Sequence, residues 1–444
     1  MSTGQITIDQ KDQLNSKPAR INRDEMQVLK TRDNITNIFY IAQVYIITIV
    51  TITATVIAYS WFFNDNLSIW WLIPITVIAI TIIGASQHQL GGITHEGTHY
   101  TLFSDRKTSE LASDWFGAFP IYTTTYAFRL HHLAHHQFVN DPERDPNFDQ
   151  AVDSGHWLDF PLTHMELLWG ALKLLWLPNL VSYIIARAKY SAIGMDSNPY
   201  YDQDKTVNRL AVRCGIAFAV LVPVITVPLV FMELWLPVLL IQVAAWVGLT
   251  VYYLNIPEDD FPQSVIKPVI SHRITAISRF TFLGLLYGAI SLTEFLTGAP
   301  AWNYFLLLWI LPLFTTFPVF MILREWLQHG NADRGRYTNT RIFLVNPLLR
   351  YAIFPFGMDY HLPHHLNASV PHYNLKSFHD LLLKDKKYSE QGVIVEGWVK
   401  SPNQASGNPT VIEVLGPEYS PPNEDIHIDP AVLEHAELSN KEAV

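Results

Sequence analysis

The chain is almost without cysteine, and this shortage narrows the chemistry open to it. Cys214 is the only one among 444 residues, and it lies within an apolar run. A disulfide within the chain, a cysteine-ligated iron–sulfur cluster and a cysteine-based zinc site are therefore excluded. A Gly-x-Gly-x-x-Gly motif after a strand and a recognisable fused haem domain are also missing. A redox reaction performed by this chain would therefore need electrons from a separate carrier.

A surplus of basic residues is missing as well. The formal net charge is −10, and eight acidic residues with a single lysine lie from residue 401 onward. The rest of the chain is nearly balanced in charge, which gives no reason to expect nucleic-acid binding. The acidic stretch is rich in proline, asparagine and serine, so we expect the chain to be largely disordered from about residue 401.

Apolar residues, in contrast, are abundant. They make up 49% of the chain, the mean hydropathy is +0.14 and there are 13 tryptophans, which is high for a soluble protein. Six apolar runs approach the ~20 residues that a membrane-spanning helix needs. They are residues 35–63, 67–90, 210–232, 234–256, 276–296 and 302–323. The sequence therefore predicts an all-α polytopic membrane protein with about six spans, and at least four.

The distribution of positive charge orients these spans. The short turns at 64–66, 233 and 297–301 hold no Lys or Arg. The other side carries Lys17, Arg20, Arg23, Lys30, Arg32, Arg106, Lys107, Arg129, Arg144, Lys267, Arg273, Arg324, Arg334, Arg336, Arg341 and Arg350. By the positive-inside rule, both termini are cytoplasmic. We divide the chain into a polar cytoplasmic N-terminal segment (1–34), a membrane-embedded catalytic domain (35–383) and a cytoplasmic C-terminal tail (384–444).

The long segment 91–209 between the second and third runs contains an aromatic-rich amphipathic part. We expect residues 157–190 to lie along the membrane interface, with Trp157, Trp169 and Trp176 as anchors. A re-entrant hairpin is the alternative.

Eight histidines form three compact clusters on the predicted cytoplasmic side, where they would make a histidine-rich cap. They are His95 and His99; His132, His135 and His136; and His361, His364 and His365. At roughly 100° per residue, each cluster occupies one side of a helix and could aim its rings at one point. Neutral imidazole suits iron, copper, nickel and zinc, but one zinc ion would use only three or four ligands. The clusters therefore predict a pair of metal ions.

The order HxxxH, then HxxHH some thirty residues later, then HxxHH near the end, resembles the membrane fatty acid desaturase superfamily. The flanking residues strengthen this resemblance: 132–147 read HLAHHQFVNDPERDPN and 360–375 read YHLPHHLNASVPHYNL. The resemblance covers roughly residues 35–383. It implies a non-haem centre of two iron ions that activates O₂ and oxidises an unreactive C–H bond.

The resemblance also implies a ninth metal ligand, His329, at the cytoplasmic end of the last span. Glu325 lies one helical turn earlier; it could bind metal through water, orient a ligand ring, or simply pair with Arg324 as an interfacial charge.

Several other residues could support the ligand rings without binding metal. Asp141 and Asp145 could accept hydrogen bonds from metal-bound rings, or cap a turn around the neighbouring prolines. The full set of possible supporting residues is His88, His131, Glu325, Asp141 and Asp145. We interpret His156 as a surface residue and expect His372 to fix the chain after the third cluster.

The resemblance implies an O₂-dependent enzyme that introduces a double bond into a fatty acyl or similar lipid chain. Its electrons would come from a ferredoxin, rubredoxin or cytochrome with its reductase. Three arginines, Arg334, Arg336 and Arg341, could form part of the docking site, although the positive-inside rule alone explains them. A bacterial inner membrane fits the N-terminus, with the endoplasmic reticulum as the alternative.

Other functions remain open at this point. A hydroxylase or ketolase of lipids, sterols or carotenoids would share the same chemistry. A membrane zinc hydrolase would use far fewer histidines. A metal transporter would carry polar ligands near the middle of its spans, whereas these clusters lie at or beyond the span ends.

Overall fold

The computed structural model of the chain describes residues 23–64, 66–192, 198–201 and 208–422. Before the long connecting segment lie α1 (Arg23–Leu29), α2 (Thr36–Phe63) and α3 (Ile69–Thr98). That segment contains α4 (Arg106–Ser113), a π-helical turn (Asp114–Ala118), a 3₁₀ turn (Phe119–Ile121), α5 (Thr125–Phe138), α6 (Pro146–Asp153), α7 (His164–Lys173) and α8 (Leu177–Ala192). Three long helices follow: α9 (Arg209–Phe231), α10 (Trp235–Asn255) and α11 (His272–Thr297), with a 3₁₀ turn (Glu258–Asp260) between the last two.

The remaining chain is built from shorter elements. A composite helix consists of α12 (Ala301–Phe305), a π-helical turn (Leu306–Ile310), α13 (Leu311–Phe314) and α14 (Thr316–His329). It is followed by β1 (Ile342–Leu344), α15 (Pro347–Ile353), a 3₁₀ turn (Pro355–Gly357), α16 (His361–Leu366), a further 3₁₀ turn (His372–Asn374), α17 (Leu375–Leu382), α18 (Lys386–Gln391), β2 (Ile394–Glu396), a 3₁₀ turn (Gln404–Ser406) and α19 (Val411–Leu415).

The all-α polytopic fold is confirmed. All six apolar runs form helices long and apolar enough to cross a membrane: α2, α3, α9, α10, α11 and the composite helix. Two of them continue well past the predicted run. The second extends to Thr98 and the sixth to His329, because their last turns are buried by protein rather than by lipid. These two extensions carry histidines into the protein interior.

Helix α3 lies at the centre of the part of the molecule that carries the histidine clusters. It packs against α2, α5, α14 and α15, and its residues from Ile83 to Leu90 are all buried. Its approach to α14 requires glycine, because a Cβ atom on Gly84 would lie 2.1 Å from the Thr316 hydroxyl oxygen. Thr316 in turn donates a hydrogen bond to the Ile80 carbonyl at 2.6 Å. The two helices that carry metal-ligand candidates are therefore held in close contact.

Residues 157–190 form α7 and α8, which are bent by 78° relative to each other. Trp169 and Trp176 are more than half exposed, as expected for interfacial anchors. Trp157 instead packs against Phe148 and Phe160. The bent pair is compatible with an interfacial arrangement and with a re-entrant one.

Of the segment from about residue 401 that was expected to be largely disordered, the structure describes residues 401–422. Strand β2 just before it pairs in parallel with β1, and α19 within it buries Val411, Val414 and Leu415 in the core around the third histidine cluster. The reason is that three apolar residues at helical spacing find a preformed apolar surface there, which the polar composition of the tail obscures. Residues 423–444 and 1–22 lie outside the described residues, and the domain boundaries stay predictions.

Candidate metal centre

The nine predicted ligands converge where α3 and α14 end. They form two groups in which the candidate ligand atoms lie within 4.8 Å of one another, and every member is buried. The first group contains five residues, His95, His99, His132, His136 and His364. The second contains four, His135, His329, His361 and His365. These groups hold no carboxylate in the described part of the chain. Whether the nine residues bind metal stays a prediction.

The two groups do not correspond to the sequence clusters. We expected each cluster to aim its rings at one point, but the second and third clusters are each divided between the groups. On a helix, the side chain four positions after a given residue is rotated by about 40° from it, whereas the side chain three positions after it is rotated by about 60° in the opposite direction. His132 and His136 therefore enter the first group while His135 enters the second.

The third cluster is divided in the opposite sense. His361 and His365 enter the second group and His364 the first. The rings of His136 and His365 stack with centroids 4.3 Å apart. This contact places the two groups side by side.

The ring nitrogens within each group face one another. The Nε2 atoms of His95 and His364 are 3.0 Å apart, as are those of His132 and His136. In the second group, Nε2 of His361 lies 3.1 Å from Nε2 of His329. Two neutral imidazoles can share only one proton, so a convergence of several ring nitrogens suits a cation at the centre.

Burial keeps these rings in the form that binds metal. Burial, reinforced by the neighbouring imidazoles, lowers the pKa values of five rings well below the ordinary value; these are His132, His136, His361, His364 and His365. Metal ligation requires the neutral imidazole. The environment thus prepares the nitrogens for a cation.

Asp145 supports the second group. Its two carboxylate oxygens lie 3.0 Å from Nδ1 of His135, which donates the hydrogen bond. Burial opposes protonation of this ring, but the Asp145 carboxylate more than offsets it and raises the pKa of His135. The backbone N–H groups of Asn140 and Asn147 also bind Asp145. Such a carboxylate fixes the ring orientation and leaves Nε2 facing the group.

The other predicted supporting residues differ in their contacts. Asp141 is turned away from the rings and pairs with Arg144 and Arg334. His88 binds the Ala352 carbonyl through Nδ1 at 2.9 Å and belongs to neither group. His131 contacts the Asn147 side-chain oxygen at 2.6 Å.

The same Asn147 donates to Glu325 at 3.2 Å. Glu325 therefore belongs to the polar network beside the second group and does not form the expected pair with Arg324 within ion-pair distance.

Sequence reasoning missed two supporting groups. Glu96 lies 3.4 Å from Nδ1 of His95, and it also accepts hydrogen bonds from the Thr101 hydroxyl and the His372 backbone N–H. The carbonyl of Asn339 lies 3.2 Å from Nδ1 of His329. A carboxylate inside the first histidine motif was a usable signal for Glu96. A backbone carbonyl leaves no signal in the sequence.

Arg129 fastens the first cluster to the second. It lies on α5, is 0% exposed, and donates to the carbonyls of Gly97 and Thr98 at 2.8 and 2.9 Å. Those carbonyls belong to the last turn of α3, where the helix leaves carbonyls without partners. The buried Glu110 pairs with the same guanidinium. The end of α3 is thereby held against the helix that carries the second cluster.

A small cavity of about 40 Å³ opens beside both groups. Histidines from both groups line it, together with His131, His156 and Glu325. His156 is thus buried at the site and is not the surface residue that we expected.

Comparison with known proteins agrees with this geometry. Residues 70–292 and 269–395 match the model of a family described as fatty acid desaturase, so that well over half of the chain is covered. A dihydrorhizobitoxine desaturase from Bradyrhizobium elkanii is 23% identical over 394 residues, covering 86% of this chain and 85% of that protein.

Proposed function

Because the chain belongs to the fatty acid desaturase family, we propose that it uses two iron ions and O₂ to introduce a double bond into a fatty acyl or similar lipid chain. Family membership and the related desaturase support an oxidoreductase of the desaturase kind. The observation that carries the proposal is the convergence of nine buried imidazoles into two adjacent groups.

The residues present fit two iron ions. Each group offers four or five nitrogen donors, and neutral imidazole is a suitable ligand for iron. When bound there, the two ions would supply the activation of O₂ and the removal of hydrogen from two neighbouring carbons. The balanced reaction converts –CH₂–CH₂– and O₂, with two electrons and two protons, into –CH=CH– and two water molecules.

The protein's own residues hold and orient the centre. Asp145, Glu96 and the Asn339 carbonyl each lie at an Nδ1 atom, so that the opposite nitrogen of the ring faces the group. Burial of all nine rings excludes bulk water from the reacting atoms.

The electrons come from an external carrier of the ferredoxin, rubredoxin or cytochrome type with its reductase, docking on the cytoplasmic face. Both termini lie on that face, in a bacterial inner membrane or the endoplasmic reticulum. Arg334, Arg336 and Arg341 do not form an exposed patch to which the carrier could bind. Arg341 is 1% exposed and donates to the Gly330 carbonyl, and Arg334 pairs with Asp141.

Lipid analysis and metal analysis test the proposal together. The wild-type chain and a His361→Ala/His365→Ala variant are expressed in the same host, and the membrane lipids and free organic acids of the two cultures are compared by mass spectrometry. We expect products that have lost two hydrogens only with the wild type, and about two irons per purified chain. A hydroxylated or keto product would replace the desaturase with a hydroxylase or ketolase. One zinc ion per chain would point to a hydrolase instead.

A further inference from the structure

The cavity beside the metal groups is lined by two arginines. Its lining includes Arg187 from α8 and Arg324 from α14, together with Tyr183, Asn147 and Gln150. The cavity also touches both groups, through His95 and His132 of the first and His135, His329 and His361 of the second. A molecule in this space would therefore contact the arginines and the metal groups at once.

Neither guanidinium is neutralised by the protein. In the part of the chain that the structure describes, no carboxylate lies within ion-pair distance of Arg187 or Arg324, and the buried Nε of Arg324 has no hydrogen-bond partner. Among the described residues, Arg187 is held by the Met321 sulfur at 3.1 Å, by the faces of Phe128 and Phe317, and by Tyr183.

Glu325 does not change this balance. Its carboxylate interacts electrostatically with Arg324 but is not within ion-pair distance of it, and its hydrogen bonds are with Asn147. Two guanidinium groups, those of Arg187 and Arg324, thus share the cavity with a single carboxylate, that of Glu325.

This arrangement is unfavourable unless an anion joins it. A partly desolvated charge without a partner destabilises a fold. The two guanidinium groups also repel each other and would repel metal cations bound in the histidine groups. Arg has a planar fork of donors that binds a carboxylate through two parallel hydrogen bonds. A carboxylate also fits a cavity of about 40 Å³, which has room for only a few water-sized groups.

We propose that Arg187 and Arg324 bind the carboxylate of the substrate, so that the enzyme oxidises an organic acid close to its acid group. This inference rests on the proposed function in taking the cavity as the place where substrate meets the metal centre. It narrows the substrate class, because an esterified lipid has no free carboxylate and a remote position on a long acyl chain would keep its acid group out of this cavity.

Binding without turnover tests the site directly. The iron-loaded protein in detergent, kept anaerobic and without an electron donor, is titrated with hexanoate and with hexanamide by calorimetry. Hexanamide has the same length and shape but no charge. We expect hexanoate to bind at least about tenfold more tightly, which corresponds to one charge-assisted interaction. Equal binding of the two would overturn the proposal, and this comparison needs no variant.

Substitutions then assign the binding to the two arginines. Arg187→Gln and Arg324→Gln should each weaken hexanoate binding about tenfold and leave hexanamide binding unchanged. Arg187→Lys and Arg324→Lys keep the charge and should retain part of the affinity. The matched control is Arg144→Gln, since Arg144 lies outside the cavity, is 48% exposed, and leaves Asp141 paired with Arg334. Unchanged hexanoate binding in both glutamine variants contradicts the proposal.

Chain length distinguishes the two sources of a carboxylate. If dodecanoate and hexanoate bind equally, the substrate is a small organic acid; if dodecanoate binds more tightly in an arginine-dependent manner, it is a free fatty acid whose chain leaves the cavity. Both results support the carboxylate site. Failure of the proposed function would appear separately, as carboxylate binding without any unsaturated product.

Discussion

At the scale of single residues, the second and third clusters each serve both metal groups. His135 reaches the second group while its neighbours His132 and His136 reach the first. Three of the rings are also fixed separately, since different acceptors lie at the Nδ1 atoms of His135, His95 and His329. Loss of one ring should therefore impair one metal group and leave the other assembled.

The substitution His135→Ala tests this division. It would reduce the second group from four imidazoles to three and leave all five of the first. We expect activity to be abolished and the iron content to fall from about two ions per chain to about one, while the protein still inserts into the membrane. His164→Ala is the control, because His164 is exposed at the start of α7. Retained turnover in His135→Ala would remove His135 from the ligand set.

Asp141 and Asp145 form a matched pair of carboxylates close in sequence. Asp145→Asn removes the charge that faces His135, so we expect about 10- to 100-fold lower iron affinity or activity. Asp141→Asn changes a carboxylate that faces Arg144 and Arg334, so iron affinity should stay near that of the wild type. Iron titration of the two variants with a chelator as competitor provides the comparison. Equal losses in both would show that Asp145 does not act through His135.

At the scale of secondary-structure elements, the end of α3 is positioned by close packing as well as by Arg129. A Cβ atom on Gly97 would lie 2.0 Å from the Ser113 hydroxyl oxygen, so α3 and α4 can approach this closely only with glycine. Gly97 lies between His95 and His99 in the same turn. The geometry of the first metal group therefore depends on a contact between helices.

We predict that Gly97→Ala destabilises the protein by about 1–3 kcal/mol and lowers iron content, because the added methyl group forces α3 away from Ser113. Gly91→Ala on the same helix is the control, since its Cβ would meet nothing within 4 Å. Thermal unfolding in detergent and iron analysis measure both effects.

A second substitution, Ser113→Gly, should restore part of the stability of Gly97→Ala by removing the atoms that it meets. A double variant no more stable than Gly97→Ala would show that this contact is not the cause.

The sequence predicted what depends on local pattern. Hydropathy was enough to predict the six spans, and helical spacing was enough to predict that His132, His135 and His136 lie on one side of α5. Spacing also turns His135 away from His132 and His136, but it could not show which rings share a metal group, because that depends on where α3, α14 and α16 meet. Nor could it reveal Arg187, which approaches the site from a helix far away in the sequence. The fold of the described tail was missed because its few apolar residues act only against a partner surface.

At the scale of the whole molecule, the C-terminal segment holds the loop that follows His329 of the second metal group. Strand β2 pairs with β1, and the Asn331 side chain donates to the carbonyls of Val414, Gly416 and Tyr419. Asn331 follows His329 in the chain, and the carbonyl of Asn339 supports that ring. The loop between His329 and Asn339 is thus held by residues about 80 positions further along the chain.

Truncation tests whether this segment is part of the catalytic domain. Deleting residues 392–444 removes β2 and α19, including Val395, Val411, Val414 and Leu415, whose burial contributes about 1.5–3 kcal/mol per side chain. We expect this variant to insert in the membrane but to unfold at a clearly lower temperature and to lose iron from the second group first.

The matched control deletes only residues 423–444, since the contacts that hold the loop after His329 end at Tyr419 in the described part of the chain. Its unfolding temperature, iron content and activity should equal those of the full chain. If deletion of 392–444 left the iron content at the wild-type value, the second group would be held by the membrane helices alone. The predicted boundary near residue 383 would then be supported, whereas loss of iron moves the end of the catalytic domain to at least Tyr419.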